Sequence, residues 1–141
     1  MSWDVKQTYD KISKSEICEK VTKETVKFAE AFGNYLAQGN EYEEALTTSQ
    51  LRRFFGEVKR QQMNGYDETD FQMLKPKLAY AVGRAEKTSK KNKRVKIRDF
   101  YDVMVDAIDK VEESQDKDKA FKNFISIFEA IVAYHKAAEN K

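Results

Sequence analysis

The chain has 141 residues, 40% hydrophobic, 12% aromatic and 35% charged, with one proline, one cysteine and a formal net charge of +2. That length suits one domain that buries a core without disulfides or metal, and so little proline with so much charge favours long solvated helices. A lone Cys18 excludes an internal disulfide and any zinc-ligand spacing, while the lack of an apolar leader or of a run near ~20 apolar residues predicts a cytoplasmic protein, neither exported nor inserted in a membrane.

Residues 1–12 read as a loose N-terminus. Ile17, Val21, Phe28, Phe32 and Leu36 then recur at helical spacing behind Ser13 and Ser15, two candidate caps, and predict one long first helix in which Cys18 packs. Gly39-Asn40 ends it, and a short acidic segment leads to Thr47 or Thr48, either of which can cap a second helix that stops near Asn64-Gly65. A third helical region from about Thr69 carries Phe71, Leu74, Leu78, Val82 and Ala85 on one face. Pro76 inside it predicts either a kink or a break with the proline in the first turn of a new helix.

The next stretch, KTSKKNKR from Lys87 to Arg94, has no apolar residue and reads as a mobile basic loop. Ile97, Phe100, Tyr101, Met104, Ile108 and Val111 form a fourth amphipathic helix. ESQDKDK, Glu113 to Lys119, turns into a fifth built on Phe121, Phe124, Ile125, Phe128, Ile131, Val132 and His135. No strand pattern competes, and no repeat or linker divides the chain. The expected fold is all-α, a bundle of five helices, or six with an extra short one, in a single domain over residues 1–141.

Charge is unevenly spread. Between Leu74 and Arg98 ten basic residues face Glu86 alone, a net +9, which leaves −7 for the remainder. Such separation suits a polyanion on one side and a basic neighbour on another. In the second helix, Leu51, Phe54, Phe55 and Val58 share the arc expected to face the core, and Arg52, Arg53, Gly56, Lys59 and Arg60 share the opposite one. A glycine amid cations lets a ligand approach the helix backbone, and phosphates are natural candidates because arginine grips them with two parallel donors. A solvated basic face is the plainer alternative.

In LKPKLAYAVGR, Leu74 to Arg84, the small residues Ala79, Ala81 and Gly83 suggest tight helix packing, with Tyr80 in the core and Lys75, Lys77 and Arg84 adding cations. Asp99, Asp102, Asp106, Asp109 and Glu113 line an arc of the fourth helix, read first as a solvated face and second as a docking surface for a basic partner. Catalysis lacks its usual groups. His135 is the only histidine, Val132 removes a Glu-x-x-His metal pair, and Phe128, Glu129 and Ala130 stand where helical ribonucleases of the HEPN type need arginine. Cys18 has no base partner and no Gly-rich phosphate loop occurs, so no enzyme, metal or cofactor is expected.

The stretches LTTSQLRRFFGEV, LKPKLAYAVGR and FKNFISIFEAIVAYHK, in this order and spacing, resemble the small subunit of the type III-A CRISPR-Cas effector, the Csm complex. The likeness covers Leu46 to Lys136; the first 45 residues match only as a helix of suitable length. It implies a non-catalytic helical protein of antiviral and anti-plasmid defence, present in several copies that stack head to tail beside the crRNA-bearing backbone subunits. Target RNA paired to the crRNA guide runs between the two, and the chemistry belongs to the backbone and large subunits. Carried onto this sequence, the resemblance implies that Arg52, Arg53, Lys59, Arg60, Lys75, Lys77 and Arg84 meet RNA or a neighbouring subunit. The rival reading is a protein-only helical adaptor whose basic stripe binds acidic partners.

Overall fold

A computed structural model describes residues 17–89 and 93–139. Among these the chain forms six helices: α1 (Lys23–Ala37), α2 (Thr48–Asn64), α3 (Glu68–Gln72), α4 (Leu74–Thr88), α5 (Ile97–Glu113) and α6 (Lys117–Glu139). The fold is an all-α bundle, as the periodicity predicts. Local chemistry sets the boundaries: the Thr47 hydroxyl accepts from the Gln50 amide at 3.1 Å, and the Gln50 side chain accepts from the Thr47 amide at 2.8 Å. This reciprocal capping box satisfies two donors that a helix start leaves without partners. Gly65, with φ at +90°, ends α2 in a conformation that a side chain would strain.

Pro76 resolves as a break. Met73 separates α3 from α4, and the proline is the third residue of α4, where its missing N–H removes no helical hydrogen bond. The first helix departs from expectation. Ile17 and Cys18 are helical, but the chain leaves the helix over residues 19–22 and α1 starts at Lys23, because Thr22 adopts an extended backbone, accepts from the Glu24 amide and donates its own amide to Thr25 Oγ1. Ile17 is nevertheless fully buried, its carbonyl held by Asn123 Nδ2 at 2.9 Å. Ser13, Ser15 and the N-terminal residues 1–12 lie outside the described residues, as do Lys90 and Lys91 of the basic stretch.

Helix α6 is the spine, buried at Phe121, Phe124, Ile125, Phe128 and Ile131. Phe54 meets Phe100 and Phe128 edge-on at 5.5 and 5.3 Å, and Phe71 meets Phe121 and Phe124 edge-on at 5.3 and 5.1 Å, so aromatic contacts tie α2, α3 and α5 to α6. Helix α1 lies against the C-terminal half of α6 at close range. A Cβ on Gly33 would stand 2.8 Å from the His135 amide nitrogen and 2.8 Å from the Ile131 carbonyl oxygen. His135 itself is buried and donates from Nε2 to the Leu46 carbonyl at 2.6 Å, a structural bond that fixes the segment entering α2.

Two further expectations need correction. A strand does form, a two-residue parallel pair of β1 (Glu43–Glu44) with β2 (Arg94–Val95), too short to leave an alternating signal in sequence. It also ties down the end of the basic stretch: the Arg94 amide donates to the Tyr42 carbonyl, and Lys93 Nζ donates to the Asn40 carbonyl, each at 3.0 Å. Arg94 then grips Asp99 with two guanidinium nitrogens and reaches Glu43 at 3.1 Å. Burial raises the Asp99 carboxyl, but the bonds from Arg94 and from the Tyr35 hydroxyl together outweigh it and hold the group below its ordinary range. Lys96 is buried and donates to the carbonyls of Tyr35 and Gln38 at 2.9 and 2.7 Å, closing the C-terminus of α1 with a cation.

Candidate nucleic-acid interface

Helix α2 presents the two faces its periodicity predicts. Leu51, Phe54 and Val58 are buried and Phe55 is half-buried against them, while Arg52, Arg53, Gly56 and Arg60 are exposed. A Cβ built on Gly56 meets nothing within 4 Å, so packing does not require glycine there. A helix-interior glycine costs roughly 0.5–1 kcal/mol relative to alanine, and here it leaves bare backbone between Arg52 and Arg53 on one side and Lys59 and Arg60 on the other.

The seven cations singled out in the sequence divide into two groups. Lys59 pairs with Glu129 and lies 5.6 Å from the Phe55 ring centroid. Lys75 pairs with Asp109 of α5. Arg60 and Lys77 converge on Glu57 at 2.6 and 3.0 Å, and Gln61 donates to the same carboxylate at 3.1 Å. The Arg60 bond does most to pull the Glu57 carboxyl down to about 2, against the opposing effect of burial, with Lys77 and Gln61 adding to it. Arg52, Arg53 and Arg84 are exposed and form no ion pair with any carboxylate among the described residues.

Arg53 and Arg84 share a groove of about 470 Å³ between α2 and α4. Phe54, Leu78, Ala81 and Ala85 supply its apolar lining, Ser49, Gln50 and Thr88 supply hydroxyl and amide groups, and Glu57 with Lys77 also line it. Tyr80 borders it and is 67% exposed, so its placement in the core is overturned. The sequence carried the signal for this: Tyr80 stands two residues after Leu78 and two before Val82, opposite the apolar stripe of α4. Of Ala79, Ala81 and Gly83 in α4, only Ala81 packs against the core. Ala79 and Gly83 are exposed, and a Cβ on Gly83 meets nothing within 4 Å.

The strongly basic segment from Leu74 to Arg98 is less open than its composition suggests. Besides Lys75 and Lys77, Arg94 pairs with Asp99 and Glu43, Arg98 pairs with Glu86, and Lys96 is buried. Three of the five acidic residues of the α5 arc are correspondingly taken up within the chain, since Asp99 binds Arg94 and Tyr35, Asp106 binds Lys110 and Asp109 binds Lys75. Among the described residues, no group of three or more His, Cys, Asp and Glu side chains converges as a metal site requires, and no helix is long and apolar enough to cross a membrane.

No curated protein and no solved structure matches the chain at a significant level. The family model described as Csm2 Type III-A matches residues 19–141, a span that takes in all six helices, the groove and each of the three stretches on which the resemblance rests. The chain therefore belongs to the Csm2 type III-A family, the structural subunits of the multi-subunit Csm complex of CRISPR-Cas systems.

Proposed function

We propose that this subunit is non-catalytic and contacts the backbone of guide-paired target RNA through the exposed face of α2 and α4, stacking in several copies within the cytoplasmic Csm complex. Arg52, Arg53 and Arg84 make the primary phosphate contacts. Lys59, Arg60, Lys75 and Lys77, each held by a carboxylate of the same chain, contribute charge behind them or meet a neighbouring subunit. The observation that carries this reading is the set of three exposed guanidinium groups with no carboxylate partner among the described residues, Arg52 and Arg53 beside a helix backbone left bare at Gly56 and Arg84 across the groove from Arg53. Phosphate contacts confer no sequence preference, which suits a complex whose guide selects the target by base pairing.

The test is made in the assembled complex, because one copy offers few contacts and the assembly multiplies them. Reversing Arg52, Arg53 and Arg84 to glutamate is expected to leave assembly intact, to weaken target-RNA binding and to flatten its dependence on salt by about one unit of slope per lost contact. Unchanged RNA affinity together with failed assembly would instead make the stripe a contact for acidic protein partners.

A further inference from the structure

We propose that the groove between α2 and α4 receives one unpaired nucleotide of the bound RNA, its base stacked on the Tyr80 ring and its phosphates held by Arg53 and Arg84. This rests on the RNA-contacting role proposed above and specifies a site within it. At about 470 Å³ the groove falls in the ~300–1,000 Å³ range of clefts that take small ligands, and its apolar lining suits a flat aromatic guest. Tyr80 is the one large aromatic at its edge that faces solvent, 67% exposed, whereas Phe54 is buried beneath.

An exposed tyrosine alone would mean little. Its setting is what points to a base. On α4 the positions three before, three after and four after Tyr80 are Lys77, Gly83 and Arg84, so cations flank the ring on its own helix face and an absent side chain leaves one flank uncovered. Arg53 comes to the same groove from α2. A ring beside guanidinium groups that no described carboxylate pairs is the arrangement that holds single-stranded nucleic acid, where base-on-aromatic stacking contributes about 1–3 kcal/mol and tolerates any base. A paired base hides both faces inside the duplex, so only a splayed-out or mismatched nucleotide can use the ring. Glu57 also lines the groove, but its carboxylate is taken up by Arg60 and Lys77, which leaves Arg53 and Arg84 as the lining cations with no carboxylate partner among the described residues.

The experiment places a single 5-iodouridine in the target RNA, either mismatched to the guide or paired with it, and maps photocrosslinks in the assembled complex. The mismatched probe is expected to crosslink at Tyr80, Tyr80→Phe to retain the crosslink, and Tyr80→Ala to lower its yield by at least about fivefold, the factor corresponding to the low end of that range. The paired probe is expected to give no crosslink at this residue. A crosslink that persists in Tyr80→Ala, maps elsewhere or does not distinguish paired from mismatched probes overturns the inference. If charge reversal at Arg52, Arg53 and Arg84 still weakens RNA binding in that case, the phosphate reading stands without the stacking site; if reversal also has no effect, both fail.

Discussion

Two basic regions of this chain look alike in sequence and behave differently in the fold. Around β2 and the start of α5, Arg94, Lys96 and Arg98 are all engaged internally, with Asp99 and Glu43, with the carbonyls closing α1, and with Glu86. On α2 and α4, Arg52, Arg53 and Arg84 face outward with no carboxylate paired to them among the described residues. A cation with an acidic or carbonyl partner within reach serves the fold. One without such a partner stays solvated and open to an outside anion.

The largest test of this contrast is Lys96→Met. It removes the buried ammonium that donates to the Tyr35 and Gln38 carbonyls at the end of α1, and urea unfolding is expected to register a loss of about 2–4 kcal/mol. RNA affinity of the folded fraction should stay the same. Glycines repeat the contrast in a second form. Gly33→Ala forces a methyl group against α6 backbone and should cost about 1–3 kcal/mol in the same assay.

Glu57→Gln sharpens the comparison by moving residues from one class to the other. Removing the carboxylate releases Arg60 and Lys77, so salt titration of RNA binding should steepen by up to about two units of slope. Because this carboxyl is depressed in the folded protein from an ordinary 4.5 to about 2, its contribution to stability is fully present above pH 4.5 and disappears as pH falls towards 2. Acid unfolding of wild type and variant should therefore converge across that window; curves that run parallel through it would contradict the assignment. The smallest effect is expected from Gly56→Ala or Gly83→Ala. Each should raise stability by roughly 0.5–1 kcal/mol, since a methyl group meets open space at either site. Gly56→Ala should also weaken RNA binding if phosphates approach the bare helix backbone.

Much of the fold was legible in the sequence because the signals are local. Thr47 with Gln50, Gly65 after Asn64, and the spacing of Phe121, Phe124 and Phe128 each act within a few residues. The long first helix was misread because Ile17 and Val21 continue the apolar spacing, while the capping box at Thr22 interrupts it. The candidate site was only partly legible. Arg52, Arg53 and Arg84 were singled out correctly as outward-facing, but Tyr80 was assigned to the core despite lying opposite Leu78 and Val82, and the part played by Glu57 amid the basic stripe went unrecognised.

By itself the sequence determined the all-α class, the caps at Thr47 and Gly65 and the inward face of α2, α5 and α6, since capping and apolar periodicity act over one or two turns. Only the tertiary structure decided which cations remain available. Lys59 finds Glu129, Lys75 finds Asp109 and Arg94 finds Glu43 across 70, 34 and 51 residues of chain. Electrostatic attraction depends on distance in space, and spacing along the chain does not reveal which charges the packed helices will bring together.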